Sequence, residues 1–204
     1  MNLEFQKAFS HLQKDNVMKF LIEKFHDKIS FKEYSQDNFA LSLSNLIIDQ
    51  QISFKAARTI KERFSSLIKG LSFTEICELD NNKIQAIGIS YRKVDYIKNI
   101  FKYFIKNEND FSNLSDNEMI KELISIKGVG KWTIEMFLMF ELKKINIFSK
   151  GDIALINSVK KNYNLENLKT KELDKLIELW SPYNSVASLL LWKSIEEKIF
   201  FNYN

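Results

Sequence analysis

The segment Ile126-Lys127-Gly128-Val129-Gly130-Lys131-Trp132-Thr133 sets two glycines between two apolar helical patterns. Glycine takes positive φ at no steric cost, so Gly128 can turn the chain, and Gly130 leaves room for another backbone to come close. The helix that follows would present its first N–H groups outward, and such an N-terminus holds a phosphate. Lys127 and Lys131 flank the turn with positive charge, while Val129 would pack inward to hold it. The same residues also read as a plain αα-turn with glycines at a helix stop. Some twenty residues on, Asp152 opens another helical pattern. A fixed carboxylate can stabilise a developing cation. It is also a favoured helix cap, and from the residue alone the cap is the stronger reading.

These residues need helices to hold them, and the pattern is helical nearly throughout. Val17, Phe20, Leu21 and Phe25 recur at helical spacing, as do Phe39, Leu43, Leu46 and Ile47. A helix is predicted from Ser53 to about Leu67, and another through Ile97, Ile100, Phe101 and Phe104. Ser72 with Glu75 and Ser115 with Glu118 have capping-box spacing. Short helices are expected over Thr133–Phe140 and Asp152–Lys161, and Thr170 is the expected cap of Leu173–Leu179. The final helix, Asn184 to about Ile199, is apolar on more than one face and is predicted to be central. Strand signals are weak; Lys144–Phe148 is short and alternates poorly. The fold class is therefore all-α, in two helical lobes with a cleft between them. The polar stretch Asn107–Asp116 is the expected hinge.

Composition narrows the chemistry. With 204 residues, 45% hydrophobic and 27% charged, the chain can bury a real core. One cysteine, Cys77, excludes a disulfide framework, a Cys-ligated iron–sulfur cluster and a multi-Cys zinc site. Two histidines, His11 and His26, argue against a His-built metal site. The net charge of +4 permits a polyanionic partner without demanding one. No run of apolar residues approaches a membrane span, and the N-terminus lacks a signal-type apolar stretch, so an intracellular protein, cytoplasmic (nucleoid) or nuclear, is expected.

Four stretches, in order, resemble one family. The hairpin with Phe148-Ser149-Lys150-Gly151-Asp152-Ile153-Ala154-Leu155 downstream is similar to the helix-hairpin-helix DNA glycosylase superfamily. Ile47-Ile48-Asp49-Gln50-Gln51-Ile52-Ser53 resembles the IxxQQxS segment of its alkylation-repair branch, and Gly88-Ile89-Ser90-Tyr91-Arg92-Lys93 its second short loop. Trp180-Ser181-Pro182-Tyr183-Asn184-Ser185-Val186-Ala187 with Leu191-Trp192 resembles its C-terminal WxPxxSxA…W block. The match runs from about Asp15 to Lys193 and points to the 3-methyladenine DNA glycosylase II family in its short form, without an added N-terminal domain. Lys127 and Lys150 stand where proline is common, and Met136 where some members carry an aromatic.

The resemblance implies one glycosylase domain over residues 1–204, with the helix-hairpin-helix at about 116–140, acting on double-stranded DNA that contains alkylated purines. Asp152 becomes the catalytic carboxylate. Gln50, Gln51, Ile52 and Ser53 become DNA-binding, with Gln51 the wedge that fills the gap left by a flipped base and Ile52 second. Lys127, Gly128, Val129, Gly130, Lys131 and Thr133 grip the phosphates. Trp132, Met136 and Trp192 line the base pocket, although aromatic stripes in helices are more often core. No cofactor is implied as required; Na or K could bridge the hairpin carbonyls of Lys127 and Val129 to a phosphate. Bifunctional relatives carry a Schiff-base lysine where Trp132 stands, so no lyase step is expected. A monomer is expected. The competing reading is a non-catalytic helix-hairpin-helix DNA-binding protein, which would have no need of Asp152, the glutamines or the two tryptophans.

Overall fold

The computed structural model describes residues 3–31, 38–107 and 114–202. Among them are twelve α-helices and no strand. The chain divides into two compact units, one of residues 1–34 and 138–204, the other of residues 35–137.

The first unit contains α1 (Leu3–Leu12), α2 (Asn16–Phe25), α10 (Ile153–Asn162), α11 (Thr170–Trp180) and α12 (Asn184–Glu197). Its core joins Leu12, Met18, Leu21 and Phe25 to Leu155, Val159, Trp180, Leu190 and Leu191. As the apolar pattern on several faces predicted, α12 is central: every residue from Asn184 to Leu191 is buried, and the helix packs on α1, α2, α10 and α11. It ends at Lys198, which takes the left-handed conformation (φ 56°). The segment 144–148 forms neither strand nor helix. It is tied instead to the start of α12: Ser185 Oγ donates to Lys144 O (2.6 Å) and accepts from Ile147 N (3.0 Å), and Ser185 N donates to Ile145 O (3.0 Å).

The second unit contains α3 (Phe39–Asp49), α4 (Phe54–Ile68), α5 (Phe73–Glu78), α6 (Asn81–Gln85), α7 (Tyr91–Lys106) and α8 (Asp116–Ser125). Helix α9 (Lys131–Phe140) begins in this unit and ends in the other. Leu43, Ile47, Phe64, Ile76, Val94, Ile97 and Phe101 are buried, and α7 packs on α3, α5 and α6. Both capping boxes form: Ser72 and Ser115 accept from the amides of Glu75 and Glu118, whose carboxylates bond back to the serine amides. Those bonds hold both carboxyls below their ordinary range.

Two expectations change. The hinge at Asn107–Asp116 falls inside the second unit, whose boundaries lie elsewhere; residues 108–113 of it lie outside the described residues. Its flanking helices are joined by Tyr103 Oη donating to Glu122 Oε2 at 2.6 Å. Polarity marked a surface connection there, which is what most loops are. Thr170 is not the cap of α11 but its first residue; Lys169 precedes the helix, and its amide donates to Glu172 Oε2 at 2.8 Å.

Candidate functional site

In the second unit, three short segments are gathered by one helix. The first is the turn after α3. Gln51 is exposed and lies at φ 59°, a left-handed conformation that costs a non-glycine residue about 1–3 kcal/mol. Ile52 is 37% exposed. Ser53 is the N-cap of α4, accepting from Ala56 N at 3.3 Å. Gln50 points the other way, donating from Nε2 to Thr133 Oγ1 at 3.0 Å. The last carbonyls of α3 are held by Lys93, whose Nζ donates to Ile48 O (2.8 Å) and Gln50 O (2.7 Å). A cation there also complements the negative end of the helix dipole. Beside it, Lys61 Nζ pairs with Asp49 at 2.7 Å. Burial pushes the Asp49 carboxyl above its usual range against the pull of Lys61 and Lys93. Burial likewise pulls the Lys93 ammonium down, with Asp49 opposing.

The second segment is Gly88–Ser90, before α7. Gly88 takes φ 111°, and Ser90 caps α7 by accepting from Lys93 N. Tyr91 is half exposed and donates from its hydroxyl to Asn82 Oδ1 at 2.6 Å.

The hairpin is the third. Helices α8 and α9 are joined by residues 126–130, with Val129 N donating to Ile126 O at 2.9 Å. Gly128 takes φ 109°, and a Cβ on it would lie 2.2 Å from Tyr96 Cγ. Glycine is thus required twice over, by conformation and by the ring packed against it. Gly130 has open space where its Cβ would stand, so none of the described residues demands glycine there. Val129 is buried, as its packing role required. The Lys127 carbonyl accepts from Asn99 Nδ2 at 3.3 Å. Lys127 and Lys131 are exposed, Lys131 standing 3.8 Å from Glu135. The first amides of α9 have no acceptor within the helix.

Lys93, Tyr96 and Asn99 follow one another at three-residue spacing along one side of α7. One meets the Gln50 turn and two meet the hairpin. In the sequence Lys93 stands only as the last residue of the Gly88–Lys93 loop, and Tyr96 and Asn99 belong to no motif. Two named residues behave differently from expectation. Thr133 is wholly buried and accepts from Gln50, so its side chain is an internal tie and not a phosphate contact. Met136 is 2% exposed and belongs to the packed interior, because α9 is apolar on most of its faces. Trp132 is part-exposed.

In the first unit, Asp152 is the N-cap of α10 and is 9% exposed. Its Oδ1 accepts from Leu155 N at 2.8 Å and from the indole Nε1 of Trp192 at 3.3 Å. Trp192 stacks on Phe140, with ring centres 5.9 Å apart and planes at 29°. So Trp192, expected as a surface for a base, also orients the carboxylate. The loop that delivers Asp152 is the one anchored by Ser185, which gives the C-terminal block a positioning task. That block's other tryptophan, Trp180, is fully buried core. Asp152 is both cap and fixed carboxylate, with both N–H donors meeting the same oxygen, Oδ1.

Among the described residues, no cluster of three or more His, Cys, Asp or Glu could hold a metal, and no helix is long and apolar enough to cross a membrane.

Residues 45–182 match the model of the HhH-GPD superfamily of base excision DNA repair proteins. YfjP of Bacillus subtilis is 33% identical over 167 residues, covering 74% of this chain and 56% of its own length. DNA-3-methyladenine glycosylase 1 of Schizosaccharomyces pombe is 32% identical over 160 residues, covering 74% of this chain and 70% of that one. The chain thus spans little more than half of the first relative. A solved structure of a Schizosaccharomyces pombe 3-methyladenine DNA glycosylase with abasic DNA superposes with a TM-score of 0.85 at 29% identity, covering 93% of this chain and 97% of that one.

Proposed function

The chain belongs to the HhH-GPD superfamily of base excision DNA repair proteins, and from that membership we propose that it is a monofunctional DNA glycosylase. It hydrolyses the N-glycosidic bond of alkylated purines, 3-methyladenine and 7-methylguanine foremost. The relatives named for 3-methyladenine release support this substrate class. The observation that carries the proposal is Asp152, a largely buried carboxylate aimed by the Leu155 amide and the Trp192 indole.

Cleavage of the bond between base and deoxyribose passes through an oxocarbenium-like state. A carboxylate about 4 Å from that cation, at an effective dielectric near 20, contributes roughly 4 kcal/mol. That is worth about three decades in rate. The charge does not have to reorient during the reaction, since two N–H donors already fix it. In this reading Asp152 also orients the attacking water. Alkylation at a ring nitrogen makes the base cationic and a good leaving group, so no general acid is needed. Gln51, exposed at its turn, fills the gap left by the flipped base, and the hairpin with Lys127 and Lys131 grips phosphates. Trp192, bonded to Asp152, is the base-stacking residue of this reading, and Met136 is buried away from any base.

The hairpin also suits a bridging Na or K. The carbonyls of Lys127 and Val129 would hold it; Lys127 O already accepts from Asn99 and retains a second lone pair. Such an ion would link hairpin and phosphate and takes no part in bond cleavage. The protein works as a monomer inside the cell.

The test is release of free base from methylated duplex DNA by the full chain and by Asp152→Asn. The variant is expected to lose about three decades in rate, as worked above, while still binding DNA. Activity within tenfold of wild type would remove Asp152 from the chemistry, and a wild-type chain that binds DNA but frees no base would favour the non-catalytic reading.

A further inference from the structure

Lys93 has no part in the DNA contacts or the chemistry given above, yet it bonds both carbonyls at the base of the turn carrying Gln51. Its single ammonium bridges Ile48 O at 2.8 Å and Gln50 O at 2.7 Å, either side of Asp49 and immediately before Gln51. Gln51 then takes φ 59°. A helix would normally run on past Asp49; the cation engages the carbonyls at its end and favours the break. The base of the turn is fixed from two other directions. Gln50 Nε2 donates to Thr133 Oγ1 at 3.0 Å, and Lys61 holds Asp49. Gln50 is half-buried while Gln51 is exposed. The two glutamines therefore do opposite things, one anchoring the turn and one leaving it.

We propose that Lys93 is a positioning residue for the Gln51 wedge: it holds the exit of α3 so that Gln51 stands out of the turn in the left-handed conformation, ready to enter the duplex. This rests on the glycosylase reading above. Lys93 touches neither base nor sugar, so its effect belongs to opening the duplex and not to cleaving the bond. A nearby alternative, that Lys93 is a phosphate contact, is disfavoured because its ammonium is committed inward to two carbonyls.

The experiment uses the full chain and Lys93→Met, which keeps the stem and removes the donor. Base release is measured on methylated duplex and on the same strand alone. Insertion is read separately by 2-aminopurine fluorescence next to an abasic-site analogue in a duplex. The expected result is a loss of tenfold or more on duplex, a loss under twofold on single strand, and a diminished fluorescence change. In a Gln51→Ala background, Lys93→Met should add less than twofold, because the side chain it positions is gone. Equal losses on both substrates, or full additivity with Gln51→Ala, would overturn the proposal. If Lys93→Met does not fold, Lys93→Arg decides. Its larger planar head fixes the N–H directions that the compact ammonium turns toward both carbonyls in this part-buried site, so its duplex-to-single-strand ratio should fall at least threefold; an unchanged ratio overturns the proposal. If the wild-type chain frees no base, the glycosylase reading fails, and the fluorescence arm still decides the role of Lys93.

Discussion

The two hairpin glycines should fail in different ways, and the structure supplies the magnitudes. Gly128 lies at φ 109°, and an added Cβ would stand 2.2 Å from Tyr96 Cγ and 2.6 Å from Tyr96 Cβ. Those atoms are the stem of the side chain, so they yield only if α7 shifts. Arg92 further pins the ring, its guanidinium lying 5.5 Å from the ring centre. Overpacking of this kind costs about 1–3 kcal/mol. The left-handed backbone adds about 1–3 kcal/mol for a residue with a side chain. Gly128→Ala should therefore lose about 2–6 kcal/mol, a large part of the 5–15 kcal/mol that typically separates a domain from its unfolded state. Gly130 is outside the left-handed region and meets nothing within 4 Å. Gly130→Ala should leave stability unchanged or raise it by roughly 0.4–1 kcal/mol through the unfolded chain. Its penalty should appear only when a phosphate backbone comes close. Losing one backbone contact to a charged phosphate should weaken duplex binding about tenfold, and the slope of log affinity against log salt should stay the same, because no cation is removed. Denaturant melts give the first quantity, and fluorescence anisotropy over a salt series the second. A Gly130→Ala protein that binds like wild type at every salt concentration would refute the anchor. A Gly128→Ala protein that melts like wild type would refute the packing argument.

Trp192→Phe removes the indole donor to Asp152 while keeping a ring to stack on Phe140; base release should fall about tenfold, the ~1.5 kcal/mol of a hydrogen bond to a charged group, and stay low for all substrates, whereas a change confined to cationic bases would make Trp192 a base contact alone. Gln51→Ala should reduce duplex activity far more than single-strand activity, and equal losses would mark Gln51 as structural. Borohydride should trap no covalent protein–DNA adduct, because the hairpin places Trp132 after Lys131 and Lys131 is exposed beside Glu135; a trapped adduct would reveal a Schiff-base lysine.

What the sequence alone determined was whatever depends on neighbours within a turn or two of chain. The capping boxes at Ser72 and Ser115, the helix start near Ser53, the cap by Asp152, the positive φ at Gly128 and the burial of Val129 all follow from short spacing. Helix α6, five residues long, was too short to show a period, and α11 starts at Thr170, its expected cap, because the Glu172 carboxylate reaches the Lys169 amide one residue earlier. Tertiary structure decided everything that joins distant segments. Lys93 reaches carbonyls more than forty residues away, Gln50 meets Thr133 across 83 residues, and Trp192 meets Asp152 across 40. No local pattern encodes such partners, since a lysine on a helix reads as solvated until a carbonyl is known to face it. The division of the chain was hidden for the same reason: residues 1–34 and 138–204 build one core from both ends of the sequence. Burial then separated residues of like type. Thr133 and Met136 went inward and Gln51 outward, because packing on helices remote in sequence, not residue chemistry, sets which side of a helix or turn faces water.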